Sequence, residues 1–320
     1  MTLRRTLKII IFILIIAVIM TVLGMIFIPK FYLSDDWATT CTYREFYEQE
    51  DNTDDVIFLG SSRGACAFDP IQMEDETGLI GYNLCCEMQN VSSSYYWLKE
   101  ALRSQKPKVV VLDTNYLYLN RDNNSNLFTE GTVRKAIDNM HLSIPKLEMI
   151  RYNCSVDESQ DIIDYIFPIL RFHDRWQELS MHDIAYEPSG LRGYNPINYN
   201  KTNDQLYSTY EYSDNRDTTA MDEEMSDYLS RINELCKTED IRLILVSPVS
   251  NEESAARHNT TLKWCNDNDC RFIDYNITGL YNSINYNFYE DNSSGNHANI
   301  SGARKMTSYL SQIISEQIVR

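Results

Sequence analysis

Val56-Ile57-Phe58-Leu59-Gly60-Ser61-Ser62 is the stretch on which the fold turns. Four apolar residues stand in a row between Asp54-Asp55 and a glycine. That is too short for a helix and has no polar side, which predicts a strand buried on both faces. Gly60 ends it and permits a tight turn. A serine at such a turn stands at the carboxyl edge of the sheet with its hydroxyl exposed. Outward from this point, Ile80–Leu84, Val109–Leu112, Leu243–Val246 and Arg271–Ile273 read as further strands. Val91, Tyr95, Leu98 and Leu102 recur at helical spacing between the second and third. A helix over about 218–237 precedes the fourth strand, and Met306, Leu310 and Ile313 mark the last helix. Short strands alternating with helices predict an α/β three-layer sandwich around a central parallel sheet of about five strands. Its crossovers should be right-handed, with ligands bound at the strands' carboxyl ends.

The first 30 residues have a different character. Ile9 to Ile28 is an uncharged apolar run, and about 20 such residues cross a bilayer as a helix. Arg4, Arg5 and Lys8 precede it; Lys30, Asp35 and Asp36 follow it. The positive-inside rule then places the N-terminus in the cytoplasm and the body outside. The run exceeds the h-region of a cleaved signal peptide and no A-x-A site follows, so an uncleaved single-pass anchor is expected. The chain therefore divides into a tail and anchor over 1–30, a polar lead-in over 31–54, and an α/β domain over 55–320. An insertion at about 120–217 interrupts the alternation. Its first part should be helical, with Ile162, Ile163, Ile166 and Leu170 on one stripe. From Tyr186 to Asn215 it is irregular and tyrosine-rich; packed tyrosines or a sugar-stacking surface both fit.

The net charge is −17. All 46 acidic residues lie beyond residue 30, with 25 of the 29 basic ones, so the body carries −21. Nucleic acid needs a basic face and is excluded as a partner. The eight cysteines show no C-x-x-C spacing for zinc or a redox dithiol, and buried free thiols are expected. No metal site or cofactor is called for.

Three polar positions fall where the chemistry of such a sheet is expected. Ser62 follows the first strand. Asn115 follows the third, where its amide is a neutral donor suited to an oxyanion. His297 stands before the last helix, where an imidazole can act as a general base. Of the other histidines, His141, His173 and His182 lie in the insertion and His258 on an expected surface helix. Taken singly, each of the three positions also fits a turn or a cap.

Taken together, they resemble the SGNH (GDSL-like) hydrolase superfamily over about 55–115 and 240–315. Val56–Ser62 looks like its first block, with Ser62 at the nucleophile's place. Tyr82-Asn83-Leu84 looks like the start of the second block, and Val109–Asn115 like the third. His297-Ala298-Asn299-Ile300-Ser301-Gly302-Ala303 is similar to the histidine block. The Gly-Ser-Ser start and the anchor are most similar to the extracytoplasmic DltD-like and alginate-acetylation-like branch. This resemblance implies a flavodoxin-like SGNH fold and a serine esterase or O-acyltransferase of the cell envelope. The implied substrate is an acylated glycan or envelope polymer, and the implied partner of a transferase is a multi-spanning acyl-export protein. It assigns Ser62 as nucleophile and His297 as base, with Ser62, Met88 and Asn115 around the oxyanion.

There are departures from the family pattern. Met88 stands at the second block's glycine, and Asp113 at the third block's. The family's acid, three residues before the histidine, is Ser294 here, so Asp291, six residues before His297, is the expected substitute. These departures keep a second reading open: an inactive glycan-binding or scaffold module.

Overall fold

The computed structural model describes residues 3–35, 37–118, 130–157, 159, 161–202, 205–211 and 217–318. Asp36, residues 120–129 at the head of the insertion and Tyr212 lie outside these. Five strands, β1 (Val56–Leu59), β2 (Gly81–Asn83), β3 (Val109–Asp113), β4 (Arg242–Ser247) and β5 (Arg271–Asp274), form one parallel sheet in the order β2-β1-β3-β4-β5. Burial on both faces makes β1 and the bodies of β3 and β4 continuous apolar runs. Ile57, Leu59, Val110, Leu112, Leu243 and Leu245 point to one side, and Val56, Phe58, Val109, Val111, Ile244 and Val246 to the other. Burying each such side chain contributes roughly 1.5–3 kcal/mol.

Helices α1 (Leu3–Phe27) and α2 (Thr39–Phe46) precede the sheet. After β1 come α3 (Ser62–Ala67), α4 (Pro70–Thr77) and α5 (Val91–Ala101), and the first face is covered by α2, α5 and the helix Glu223–Thr238. On the second face lie α3, α4 and the last helix, Ile300–Ile318. The result is the expected three-layer α/β sandwich. Glu223–Thr238 starts later than its apolar spacing predicts because Asp222 caps it, accepting a hydrogen bond from Met225 N at 3.0 Å. A two-stranded antiparallel hairpin, β6 (Asn292–Ser294) and β7 (His297–Ala298), precedes the last helix. From β1 the sheet grows to β2 on one side and β3 on the other, which opens a crevice at the carboxyl ends of β1 and β3.

α1 is long and apolar enough to cross a membrane, and of its residues only Gly24 is buried. The insertion contains short helices, Glu130–Asp138, Ile144–Val156, Ile162–Ile166, Ile169–Phe172 and Met181–Ile184. The expected single stripe through Ile162, Ile163, Ile166 and Leu170 is broken. Pro168 separates two helices, and Ile162, Ile163 and Leu170 are exposed. The tyrosines after it are largely packed. Tyr207 stacks on Phe288 with centroids 4.4 Å apart, Tyr194 is buried, and Tyr210 donates to Asp274 Oδ2 at 2.6 Å. His258 is not on the surface; it is buried, with Nδ1 2.8 Å from the same Asp274 carboxylate. All eight cysteines are free thiols, and Cys154 and Cys270 are only partly buried.

Candidate active site

Leu59 ends β1, and Gly60 turns the chain at φ +137°, where a Cβ would stand 2.5 Å from Asp113 Cβ. Only glycine fits both the dihedral and the space. Ser61 then caps α3, accepting from Arg63 N at 3.2 Å, so Ser62 is the first residue of the helix. Being first, Ser62 N–H has no intrahelical acceptor.

The Ser62 hydroxyl meets His297 across 235 positions, with Oγ 2.8 Å from Nε2. His297 sits in β7, paired in register with Ser294 of β6 across the tight turn Gly295-Asn296. That pairing brings Ser294 Oγ to 3.2 Å from His297 Nδ1. When Nε2 accepts the Ser62 proton, Nδ1 carries hydrogen and donates to Ser294.

Asp291 does not reach the imidazole. Its buried carboxylate accepts from Asn287 N at 2.7 Å, Ser301 Oγ at 2.6 Å and Lys305 Nζ at 2.6 Å. Asp291 closes the helical turn Phe288–Asp291, strand β6 lies between it and the hairpin's tip, and it anchors the start of the last helix instead. Among the described residues no carboxylate pairs with the His297 ring. Burial, then the Arg63 charge, pushes the His297 pKa down from 6.5 to about 4, and Glu252 opposes this.

Asn115 follows β3 at the same edge, and its Nδ2 donates to Ser61 Oγ at 3.1 Å. Met88 holds φ +60°, a left-handed conformation that glycine adopts at less cost, and its Sδ accepts from Tyr116 OH at 3.1 Å. The crevice thus brings together Ser62, His297, Asn115 and Ser294, with Asp291 outside it.

Three groups at the site lie beyond the reach of the sequence reading. Asp113, read above only as a missing glycine, is buried and organises the serine turn. Its carboxylate accepts from Ser61 N at 3.0 Å, Ser61 Oγ at 2.5 Å, Gly64 N at 3.3 Å and Asn115 N at 2.8 Å. An aspartate closing a strand beside Gly-Ser-Ser was the available signal. Arg63, 1% exposed, pairs with Glu253 at 2.7 Å and with Glu252. Asn296 Nδ2 donates to Glu252 at 3.1 Å, which ties this cluster to the histidine hairpin. Trp37, from the lead-in, places its ring 5.2 Å from that of His297. Neither contact has a local sequence signal.

No family profile and no curated protein matches the chain. Solved structures that resemble it include one from Bacteroides fragilis named as an acylhydrolase, with 13% identity over 87% of this chain and 95% of that one and a TM-score of 0.41. A lipolytic protein of the G-D-S-L family, by name, from Desulfitobacterium hafniense is 9% identical over 82% and 99%, TM-score 0.40. A GDSL-like lipase from Bacteroides thetaiotaomicron is 12% identical over 87% and 99%, TM-score 0.39.

Proposed function

We propose that this chain is a membrane-anchored serine acyl-ester hydrolase or O-acyltransferase, with Ser62 as nucleophile and His297 as general base. The observation that carries it is the 2.8 Å contact between Ser62 Oγ and His297 Nε2 at the carboxyl edge of the sheet. That distance permits direct proton transfer. His297, with its pKa held near 4, is neutral and able to accept a proton throughout the neutral range. As it takes the Ser62 proton, Oγ attacks an ester carbonyl, and the carbonyl oxygen becomes an oxyanion. Ser62 N–H, Met88 N–H and the Asn115 amide are the donors assigned to that charge. Collapse of the tetrahedral intermediate expels the alcohol, which takes the proton back from His297. Water or a sugar hydroxyl then attacks the acyl-serine by the reverse proton path. Ser294 orients the imidazole in place of the usual carboxylate.

The substrate we assign is an acylated envelope glycan or related polymer outside the cytoplasmic membrane, from the motif resemblance and the apolar α1. Trp37 adds support. It lies ten residues beyond Phe27, and ten extended residues reach at most about 36 Å, so the ring beside His297 stands within that span of the end of α1. A transferase would draw its acyl group from a multi-spanning export protein beside it.

The test is Ser62→Ala in the full-length, detergent-solubilised protein. Hydrolysis of a small acetyl ester should fall by at least about 10³-fold, with the circular dichroism unchanged. A fluorophosphonate should add its mass to Ser62 in the wild type and not in the variant. Undiminished turnover by Ser62→Ala refutes the assignment. A wild type that neither turns over ester nor takes the label is instead an inactive binding module.

A further inference from the structure

The insertion wraps the end of the apolar helix. Gly24 of α1 lies so close to Pro168 that a Cβ would stand 3.2 Å from its Cδ. Arg175 donates to Phe27 O at 2.5 Å, and Tyr32 OH donates to Ala185 O at 3.2 Å. The helices Ile169–Phe172 and Met181–Ile184 both touch α1. These same short elements, the single-turn helix His173–Gln177 that also touches α1, and their neighbour Ile162–Ile166 hold large apolar side chains out to solvent. Ile162, Ile163, Leu170, Trp176, Met181 and Ile184 are all exposed, Trp176 at 65%.

A stable soluble surface rarely keeps so many large apolar groups together beside an apolar helix. We infer that this collar docks on the bilayer that α1 crosses, with Trp176, Met181 and Ile184 seated at the lipid–water interface. The occupant follows from continuity: α1 passes straight from lipid into contact with these helices, so they start at the membrane surface. Tryptophan is the side chain suited to that depth, its ring apolar and its N–H able to meet headgroups. Asp174 and Glu178 beside it are 92% and 73% exposed, which fits the headgroup layer and limits insertion to roughly 5–10 Å. Residues 162–184 carry Asp164, Asp174, Glu178 and Asp183 against Arg171 and Arg175. The attachment is therefore apolar and does not depend on anionic lipid. This inference rests on the anchoring part of the proposed function and not on its chemistry.

Full-length protein in phosphatidylcholine nanodiscs tests it. Replacing the lipid by phosphatidylcholine brominated at a shallow acyl position should quench tryptophan emission, more than deep bromination does. The share that Trp176 contributes should vanish in Trp176→Phe; α1 holds no tryptophan, Trp97 is buried, and the half-buried Trp37 and Trp264 are present in both proteins. Met181→Asp with Ile184→Asp should weaken the quenching of Trp176 and leave fluorophosphonate labelling of Ser62 as in the wild type. Equal quenching in Trp176→Phe and the wild type overturns the docking. So does an unquenched Trp176 in these lipid-only discs, the result expected of a face that serves a protein partner. A chain that does not co-elute with the discs overturns the anchor as well, whatever its activity.

Discussion

At the scale of single residues, the unusual feature is a hydroxyl where an acid is expected. Ser294 holds His297 Nδ1 at 3.2 Å, and a neutral hydrogen bond of this kind is worth about 1 kcal/mol, where a buried carboxylate contributes several times as much. With no carboxylate paired to its ring among the described residues, the imidazole pKa is set by burial and Arg63 against the weaker pull of Glu252, near 4. The neutral form is the active one, so kcat/KM should rise through about pH 4 and stay level to neutrality. Ser294→Asp places a charge on Nδ1–H. We expect its acid limb to move up, toward or beyond pH 6.5, and its plateau rate to increase. Ser294→Ala should lose about 5-fold at the plateau, with the limb near 4 retained. Asp291→Asn is the contrast: it removes the partner of Lys305 and Ser301, so it should lower the unfolding midpoint and leave the limb where it is. A pH–rate profile of the three variants decides this. An Asp291→Asn profile shifted by a unit or more would show that Asp291 acts on the imidazole after all.

At the scale of elements, the serine turn is where local rules and tertiary packing meet. Gly60 takes φ +137° against the Asp113 side chain, and four hydrogen bonds to Asp113 fix the turn that follows. Gly60→Ala adds backbone strain of about 1–3 kcal/mol and a 2.5 Å collision that only displacement of the turn relieves. We expect a loss above about 3 kcal/mol in urea unfolding at constant m-value and markedly slower fluorophosphonate labelling. The strands on either side were legible because each is a short β-branched or leucine run bounded by turn residues. The positions of Ser62, Asn115 and His297 were legible because they follow a strand or stand just before the last helix. Elements whose apolar spacing outran a breaker were misread, as at Pro168, where one stripe became two helices. Ser294 was visible as the residue at the acid's place, three before His297, and hairpin register brings it to the ring. Arg63 and Trp37 were invisible for a different reason: they come near His297 only through chain closure over more than 230 positions, which no local pattern encodes.

For the molecule as a whole, two buried groups pull stability in opposite directions over nearly the same pH range, so their effects largely cancel between about pH 4 and 6.5. His297 has a folded pKa below its unfolded 6.5, so the unfolded chain binds more protons and stability falls as pH drops from about 6.5 to 4. Asp54, at the opposite edge of the sheet just before β1, is the reverse case. It is 2% exposed, neither carboxylate oxygen has a hydrogen-bond partner among the described residues, and burial raises its pKa from 3.8 to about 7. The folded chain then binds the extra proton, so stability falls as pH rises from about 4 through 7. A body charge of −21 adds self-repulsion over the same range. Asp54→Asn keeps the shape and removes the ionisation. It should match the wild type near pH 4 and exceed its melting temperature by several degrees at pH 8. Only the wild type should show the decline between these limits that Asp54 causes. Melting curves at both values settle it: equal temperatures at pH 8 would mean that Asp54 is hydrated and charged in the folded protein. The site and the scaffold would then share a working range from its acid limb upward, with no alkaline cost at the amino-terminal edge of the sheet.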